Sequence, residues 1–286
     1  MAAKKNATVR GRRLRGELRR LREERGWSID HVVELSENAW VNSTVSRWEL
    51  GERLPRPADL RLLLEIYEVT DEERETLLRL AREARQRGWW HVHGDAVPEW
   101  FQGFVGLEAE ASAVCSYTSE FVPGLLQTAD YSRAIHQGSL RSLSDEEIER
   151  RVAVRMERQK LLERPHAPQL WFILNEAVIR RHVGGPGVMK KQLGHLAKAI
   201  DPPRITVQVL PYELGAHPGM DGAFSILSFP AAIDADLVYL EHQTSSLYVE
   251  EPDEVERYNV VFNHLRATAL STDHTSSMIR EIVAQI

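Results

Sequence analysis

Hydrogen-bonding side chains cluster at residues 42–47, where the sequence reads N-S-T-V-S-R. Asn42, Ser43 and Arg47 are expected to project from one end and one face of a helix at this position. Arginine can donate two hydrogen bonds to O6 and N7 of guanine, and asparagine can pair with the edge of adenine. The residue types and their spacing therefore indicate a helix that could recognise base edges.

Two helices are predicted before this run. Leucines at positions 14, 18 and 21 form one stripe of a helix over 9–25, and Gly26 is placed to end it. Ser28 can cap the second helix through the free backbone N–H groups of its first turn. The apolar residues of that helix are Ile29, Val32, Val33 and Leu35.

Three further helices complete a compact helical domain. The polar residues 36–39 predict a turn, after which Asn42 or Ser43 can cap the third helix and Gly51 can end it. A fourth helix is predicted at 58–67. Thr70 and Glu73 form a capping box for the fifth, which is expected to run to about Arg87.

The remainder of the chain has a mixed pattern. Residues 99–165 are predicted to be helical, with a second capping box at 144–147. Strands are predicted at 170–174, 205–210, 224–229, 237–240 and 247–249, and helices at 176–200, 253–270 and 272–284. The sequence predicts an α+β chain: an all-α five-helix domain at 1–88, a linker at 89–103, and a mixed α/β domain with a small sheet at 104–286.

Charge is unevenly distributed along the chain. Residues 1–25 contain ten Lys and Arg against three Glu, whereas 89–286 carry −9 and the whole chain −6. A basic N-terminal segment indicates contact with a polyanion, with Arg10, Arg12, Arg13 and Arg53 as candidates for sequence-independent attraction. The alternative is a solvated, arginine-rich helix face.

Composition argues against several other classes. Cys115 is the only cysteine, so no internal disulfide or cysteine-based zinc site is expected and a reducing cytoplasm fits. No segment approaches the roughly 18 apolar residues of a membrane helix, and the basic N-terminus lacks the apolar core of a signal peptide. A cytoplasmic protein without a membrane partner is expected.

Candidate catalytic and metal-binding patterns are weak. His217, Asp221, Glu241 and His242 lack helical metal-ligand spacing, so turn and surface roles are favoured over a metal site. Residues 184–187 are glycine-rich but match no phosphate-binding pattern, and no G-x-S-x-G motif is present. We therefore expect no enzymatic activity, no cofactor and no metal.

Two other segments leave alternatives open. Residues 123–127 could begin a helix with core leucines or line a groove for a partner. The aromatic residues near the linker could join the two domains or form an exposed protein-binding patch. They are Trp89, Trp90, Trp100 and Phe101.

The N-terminal pattern closely resembles the Xre-type helix-turn-helix of phage-repressor-like regulators. The matching elements are L-R-x-x-R-x-x-x-G, ending at Gly26, and S-R-x-E-x-G, ending at Gly51. From Gly26 to Val45 the chain is about two residues longer than the usual spacing, with Val33 or Leu35 where a small residue is expected. The resemblance implies a third helix that enters the major groove and a structural pair of Arg22 with Glu49.

Contacts with double-stranded DNA are accordingly expected from several residues. Ser28 would present free N–H groups to a backbone phosphate. The full set is Arg10, Arg12, Arg13, Ser28, Asn42, Ser43, Thr44, Ser46, Arg47 and Arg53. The alternative is a helical bundle with no role in DNA binding.

The C-terminal part is similar to the domain of unknown function in actinobacterial Xre-type regulators of the WhiJ-like group. Matching runs include FVPGLLQT at 121–128, DYSRA at 130–134, MKKQL at 189–193, VQVLP at 207–211, GAFSIL at 222–227 and VYLE at 238–241. This resemblance implies a regulator whose C-terminal domain senses a signal or binds a partner, often a small protein encoded nearby in an antitoxin-like arrangement.

Three functional hypotheses result. The first is a sequence-specific, DNA-binding transcriptional regulator that acts as a homodimer and does no chemistry. The second is an antitoxin-like adaptor that acts mainly by binding a small protein, with DNA binding secondary. The third is an enzyme fused to a helix-turn-helix.

Overall fold

A computed structural model describes residues 9–85, 97–139, 143–230 and 235–286, with only the backbone of Val9, Glu99 and Trp100. The chain divides into two compact units, one built on 9–85 together with 98–107 and the other on 108–230 and 235–286. The predicted linker at 89–103 lies partly outside the described residues, so the predicted domain limits stay a prediction.

The segment 9–85 of the first unit contains five short helices, as predicted. They are α1 (Val9–Glu24), α2 (Ile29–Leu35), α3 (Asn42–Glu49), α4 (Pro57–Ile66) and α5 (Asp71–Glu83). The stripe of leucines on α1 is fully buried, and it packs with the inward faces of the other helices into one core. Gly26 follows α1 with a φ of 66°, a left-handed conformation that favours glycine.

The helix ends match the sequence in part. Ser28 caps α2 by accepting a hydrogen bond from the backbone N–H of His31 at 3.1 Å, as predicted. Thr70 caps α5 by accepting from the N–H of Glu73 at 3.3 Å, but the Glu73 carboxylate accepts from Arg20. The described contacts therefore give one half of the predicted capping box.

The predicted cap of the third helix is wrong. The chain at Val41 is still extended, so Val41 occupies the cap position of α3, and Asn42 is already helical. The cap therefore lies before both predicted positions, Asn42 and Ser43, at a side chain that makes no capping bond. Leu35 is 43% exposed at the end of α2, whereas Val32 and Val33 are buried.

The second unit is a mixed sheet with helices. The helix α6 (Glu99–Glu110) begins among the residues of the first unit and ends among those of the second. The other helices of the second unit are α7 (Ala129–Gln137), α8 (Asp145–Gln159), α9 (Glu176–Arg180), α10 (Pro186–Ala199), α11 (Pro252–Thr268) and α12 (Thr272–Gln285). Its strands are β1 (Ala113–Thr118), β2 (Gln169–Asn175), β3 (Ile205–Leu210), β4 (Phe224–Ser228), β5 (Leu237–Glu241) and β6 (Ser246–Val249).

The six strands form one sheet in the order β3-β2-β1-β4-β5-β6. β1, β2 and β3 are parallel to one another, whereas β4, β5 and β6 are joined by antiparallel pairing that starts at β1. The α+β class is confirmed. The prediction that 99–165 is helical is wrong at β1, which is an inner strand paired on both sides.

Strand alternation separates two faces of this sheet. Ile226, Val238 and Phe262 belong to a core that α11 covers. Tyr239 and Glu241 alternate with the core residues of β5 and therefore project from the opposite face.

Ser144 begins α8 with a complete capping box involving Glu147, as predicted. Among the described residues, none of the helices is long and apolar enough to cross a membrane.

Candidate nucleic-acid interface

The helix α3 is held in place by its inward residues. Val45 is fully buried and Trp48 is 4% exposed. The Trp48 ring meets the Trp40 ring edge to face with centroids 5.0 Å apart, and Trp40 donates to Asp59 of α4 at 3.2 Å. Large apolar contacts on one face thus leave the opposite face of α3 available to a partner.

A bidentate ion pair joins α3 to α1. Arg22 Nε and Nη2 donate to the two carboxylate oxygens of Glu49 at 2.7 and 2.8 Å. The two side chains are only 13% and 8% exposed, and the third arginine nitrogen, Nη1, donates to the carbonyl of Trp27 at 2.8 Å. The hydrogen bonds that Arg22 donates to Glu49 raise the pKa of Arg22 although burial opposes this shift. The structural pair implied by the family resemblance is confirmed.

The end of α3 is fixed by a glycine, as predicted. Gly51 has a φ of 71°, and a Cβ there would lie 3.0 Å from Cδ of Arg15. Arg15 also donates to the carbonyl of Leu50 at 3.3 Å. The left-handed backbone and the arginine that crosses it both favour glycine at this position.

The outward residues of α3 form a polar surface. Asn42, Ser43 and Arg47 are exposed, and Thr44 and Ser46 are half-buried. Arg47 is 61% exposed and lies 3.8 Å from the carboxylate of Glu52, which is also exposed, so this ion pair is weak. The Arg47 guanidinium is therefore available for bidentate bonds to another group.

Asn42 is engaged within the protein. Its amide nitrogen donates to the carboxylate of Asp30 in the first turn of α2. Pairing with adenine uses the oxygen and one N–H of an asparagine amide, and the contact with Asp30 takes one of the two N–H groups of Asn42. The contact with Asp30 therefore restricts how the Asn42 amide can be oriented toward a base.

The basic residues at the start of α1 differ from the prediction. Arg12 is 7% exposed, so it does not offer a surface cation, and its assignment to DNA attraction is wrong. Arg10 donates to Glu83 of α5 at 2.9 Å, and Arg13 is half-buried in a groove between α1 and α5. Further along α1, Arg19, Arg20 and Arg22 are all paired with glutamates. Most of the arginines of α1 are thus paired with glutamates or buried within the helical unit.

Two functional candidates, Arg56 and Val41, were not predicted from the sequence. A shallow groove of about 350 Å³ runs beside the first half of α3, and its lining includes Thr44, Arg53 and Arg56. Both arginines are exposed, and within the described part of the chain neither has an ion-pair partner. Arg56 precedes Pro57 at the start of α4, a signal that was available in the sequence. Val41, 61% exposed, also lines the groove.

The remaining candidates do not form a common site. His217 accepts from the N–H of Gly219 and meets the ring of Tyr117, whereas Glu241 lies at the end of β5. No group of potential metal ligands occurs among the described residues. Residues 124–126 form a 3₁₀ turn with Leu125 and Leu126 buried, so the leucines are core residues as predicted, but no α-helix begins there.

The aromatic residues near the predicted linker are only partly covered by the structure. Phe101 stacks on Phe104 with ring centroids 5.5 Å apart. Trp89 and Trp90 lie outside the described residues, as does the side chain of Trp100. Both predicted roles of this aromatic group stay open.

Comparison with protein families gives two matches along the chain. Residues 13–77 match a helix-turn-helix domain, and residues 101–281 match a domain of unknown function, DUF5753. Searches among curated proteins and among solved structures gave no significant match. The helix-turn-helix domain indicates a DNA-binding regulator. Because the second match covers well over half of the chain, the protein belongs to the DUF5753 family, with a helix-turn-helix domain before that domain.

Proposed function

We propose that the protein is a sequence-specific transcriptional regulator of the Xre type that reads the major groove with α3. The observation that supports this most is the contrast between the two faces of that helix. Val45 and Trp48 fix it to the core, while Ser43 and Arg47 face solvent at the end that enters the groove in helix-turn-helix proteins.

Specific and nonspecific contacts are assigned to different residues. Arg47 would read a guanine through O6 and N7, and Ser43, Thr44 and Ser46 would contact neighbouring base edges. Arg53 and Arg56 would bind phosphates beside α3, because they are exposed and line the same groove. The N–H groups at the start of α2, next to Ser28, would bind a further phosphate. Asn42 would contribute through its amide oxygen and the N–H that does not donate to Asp30.

The DUF5753 domain is assigned the roles other than DNA recognition. We assign it dimerisation and the binding of a signal or partner, and no chemistry, in a cytoplasmic protein. A dimer would present two copies of α3 about one DNA turn, roughly 34–36 Å, apart. Binding at a promoter would then block or recruit the transcription machinery.

The test is selection from a random duplex library by the full-length protein, followed by titration of the selected and a scrambled duplex at several salt concentrations. We expect enrichment of a symmetric motif that binds at least about 10³-fold more tightly than the scrambled duplex. Affinity for both duplexes should fall with salt as phosphate-bound counterions are released. Equal affinity for the two duplexes would favour an adaptor in which DNA binding is secondary.

A further inference from the structure

The second unit contains an arginine cluster that DNA recognition does not use. Arg155 and Arg158 lie on α8, and their Nη1 atoms both approach Gly124 of the 3₁₀ turn. A Cβ on Gly124 would lie 2.7 Å from Nη1 of Arg155 and 3.1 Å from that of Arg158. The two cationic groups therefore approach the same point.

The two arginines differ in how their charge is compensated. Arg158 donates to both oxygens of Glu108 at 2.5 and 2.6 Å, and this pair is 10% and 3% exposed. Burial lowers the pKa of Arg158, but Glu108 outweighs it and the net shift is upward. Arg158 and Glu108 thus form a neutral, buried pair.

Arg155 lacks such a pair. Within the described part of the chain, its guanidinium has neither a hydrogen-bond acceptor nor a carboxylate within ion-pair distance. Burial, and then the charge of Arg158, lowers its pKa to about 10, so it remains charged at neutral pH. Glu241 on β5 acts on Arg155 only through the longer-range field.

The surroundings of Arg155 are polar. The Arg155 side chain is half-buried and keeps part of its surface accessible, and Glu241 is exposed although burial raises the pKa of its carboxyl group. Nε2 of the nearby His136 is buried without a hydrogen-bond partner among the described residues. Burial and the charges of Arg155 and Arg151 lower the pKa of His136 to about 4, which keeps it neutral.

We propose that this arginine cluster binds an oxyanion, a phosphate or carboxylate group of a small ligand, with Arg155 as the main ligand-binding residue. A guanidinium offers parallel N–H donors that match two oxygens of such a group, and the bound charge would relieve the repulsion between the two arginines. Arg158 would act as a positioning residue, because its Nε and Nη2 already donate to Glu108. Gly124 would leave the space that the arginine termini occupy.

The test is thermal unfolding and calorimetric titration of the full-length protein with inorganic phosphate and, separately, with succinate, at constant ionic strength. We expect a saturable, one-to-one response to at least one of the two anions. The Arg155→Met variant should bind at least about tenfold more weakly, the loss expected for a charge-assisted bond. The affinity of Arg155→Lys should fall between those of wild type and Arg155→Met, because lysine keeps the positive charge but lacks the parallel N–H donors of a guanidinium.

Arg150→Met is the matched control, since Arg150 is exposed on the same helix. Phosphate stabilises many proteins nonspecifically, so the difference between variants is the readout. Without anion, Arg155→Met should melt no lower than wild type, because it removes an uncompensated charge. If it fails to fold, Gly124→Ala provides the second test, since the added Cβ displaces Arg155 and should weaken binding as well.

A response to phosphate alone would indicate a phosphate ester, and a response to succinate alone a carboxylate ligand. No response to either anion in wild type would overturn the proposal. If wild type and the site variant that folds, Arg155→Met or Gly124→Ala, respond equally to the anion, the proposal would be overturned too. These measurements need no DNA, so their outcome is independent of the proposed regulatory function.

Discussion

At the residue scale, the buried pair of Arg22 and Glu49 explains why α3 keeps a fixed orientation on α1. Three donors of one guanidinium are satisfied by two carboxylate oxygens and one carbonyl. Such a pair contributes little when intact but is costly to break, because the remaining charge stays buried. Its role is therefore to define the position of the helix.

The Glu49→Ala substitution should destabilise the helical unit much more than Glu52→Ala. Loss of Glu49 leaves Arg22 without its carboxylate in a site that is 13% exposed, a defect that costs up to about 3–5 kcal/mol. Glu52 is exposed and only 3.8 Å from Arg47, so its loss should cost at most about 0.5 kcal/mol. Chemical denaturation of both variants measures the difference, and equal midpoints would refute the assigned role of Glu49.

At the element scale, helix starts connect stability with phosphate binding. Ser28 and Thr70 both cap helices of the same unit through their side-chain oxygens. Only the start of α2 is expected to face a phosphate, because it precedes α3 in the helix-turn-helix. The two caps therefore allow a comparison in which the loss of stability is matched.

We expect Ser28→Ala and Thr70→Ala each to lower the free energy of unfolding by about 0.5–2 kcal/mol. Ser28→Ala should also weaken DNA binding by a similar factor for selected and scrambled duplexes, as loss of a phosphate contact does. Fluorescence anisotropy below the unfolding range provides the affinities. An equal effect of both substitutions on DNA binding would place the start of α2 away from the DNA.

The sequence predicted elements whose signals are local and missed those defined by distant contacts. The leucine stripe of α1, Gly26 and Gly51 act within one helix, and their roles are confirmed. β1 was missed because its six residues lie between helical segments, and its identity depends on pairing with β2 and β4. Parallel pairing to β2 joins residues more than fifty positions apart, which no local pattern reports.

The candidate interface shows the same limit. Arg10 and Arg12 were assigned to the surface from charge alone, but the fold pairs one with Glu83 and buries the other. Arg56 was overlooked because its relation to α3 arises from the loop between α3 and α4. Charge in the sequence therefore indicates a basic segment, whereas tertiary packing decides which cations reach a ligand.

At the scale of the whole molecule, the helical unit has a core of its own. Every residue of that core lies between positions 14 and 81, so the segment 1–88 contains all of them. Independent folding of this segment is therefore expected. Its specificity as a monomer should be limited, because one helix-turn-helix contacts only a few base pairs.

We predict that segment 1–88 is monomeric and binds the selected duplex about 10²–10⁴-fold more weakly than the full chain. Joining two copies through the DUF5753 domain would make the second contact intramolecular. Analytical ultracentrifugation and titration of one duplex with both proteins test this. A dimeric segment that binds as tightly as the full chain would show that residues 89–286 are not required for dimerisation.

Whether α3 reads base sequence is tested most directly at Arg47. The measurement is the affinity of wild type and Arg47→Ala for the selected duplex and for duplexes with one base pair changed at a time. Wild type should lose about 1–3 kcal/mol of binding free energy when one G·C pair is replaced, and Arg47→Ala should be insensitive to that pair while its melting temperature stays unchanged. If wild type and Arg47→Ala discriminate between base pairs identically at every position, this result would contradict the assignment of α3 as the reading helix.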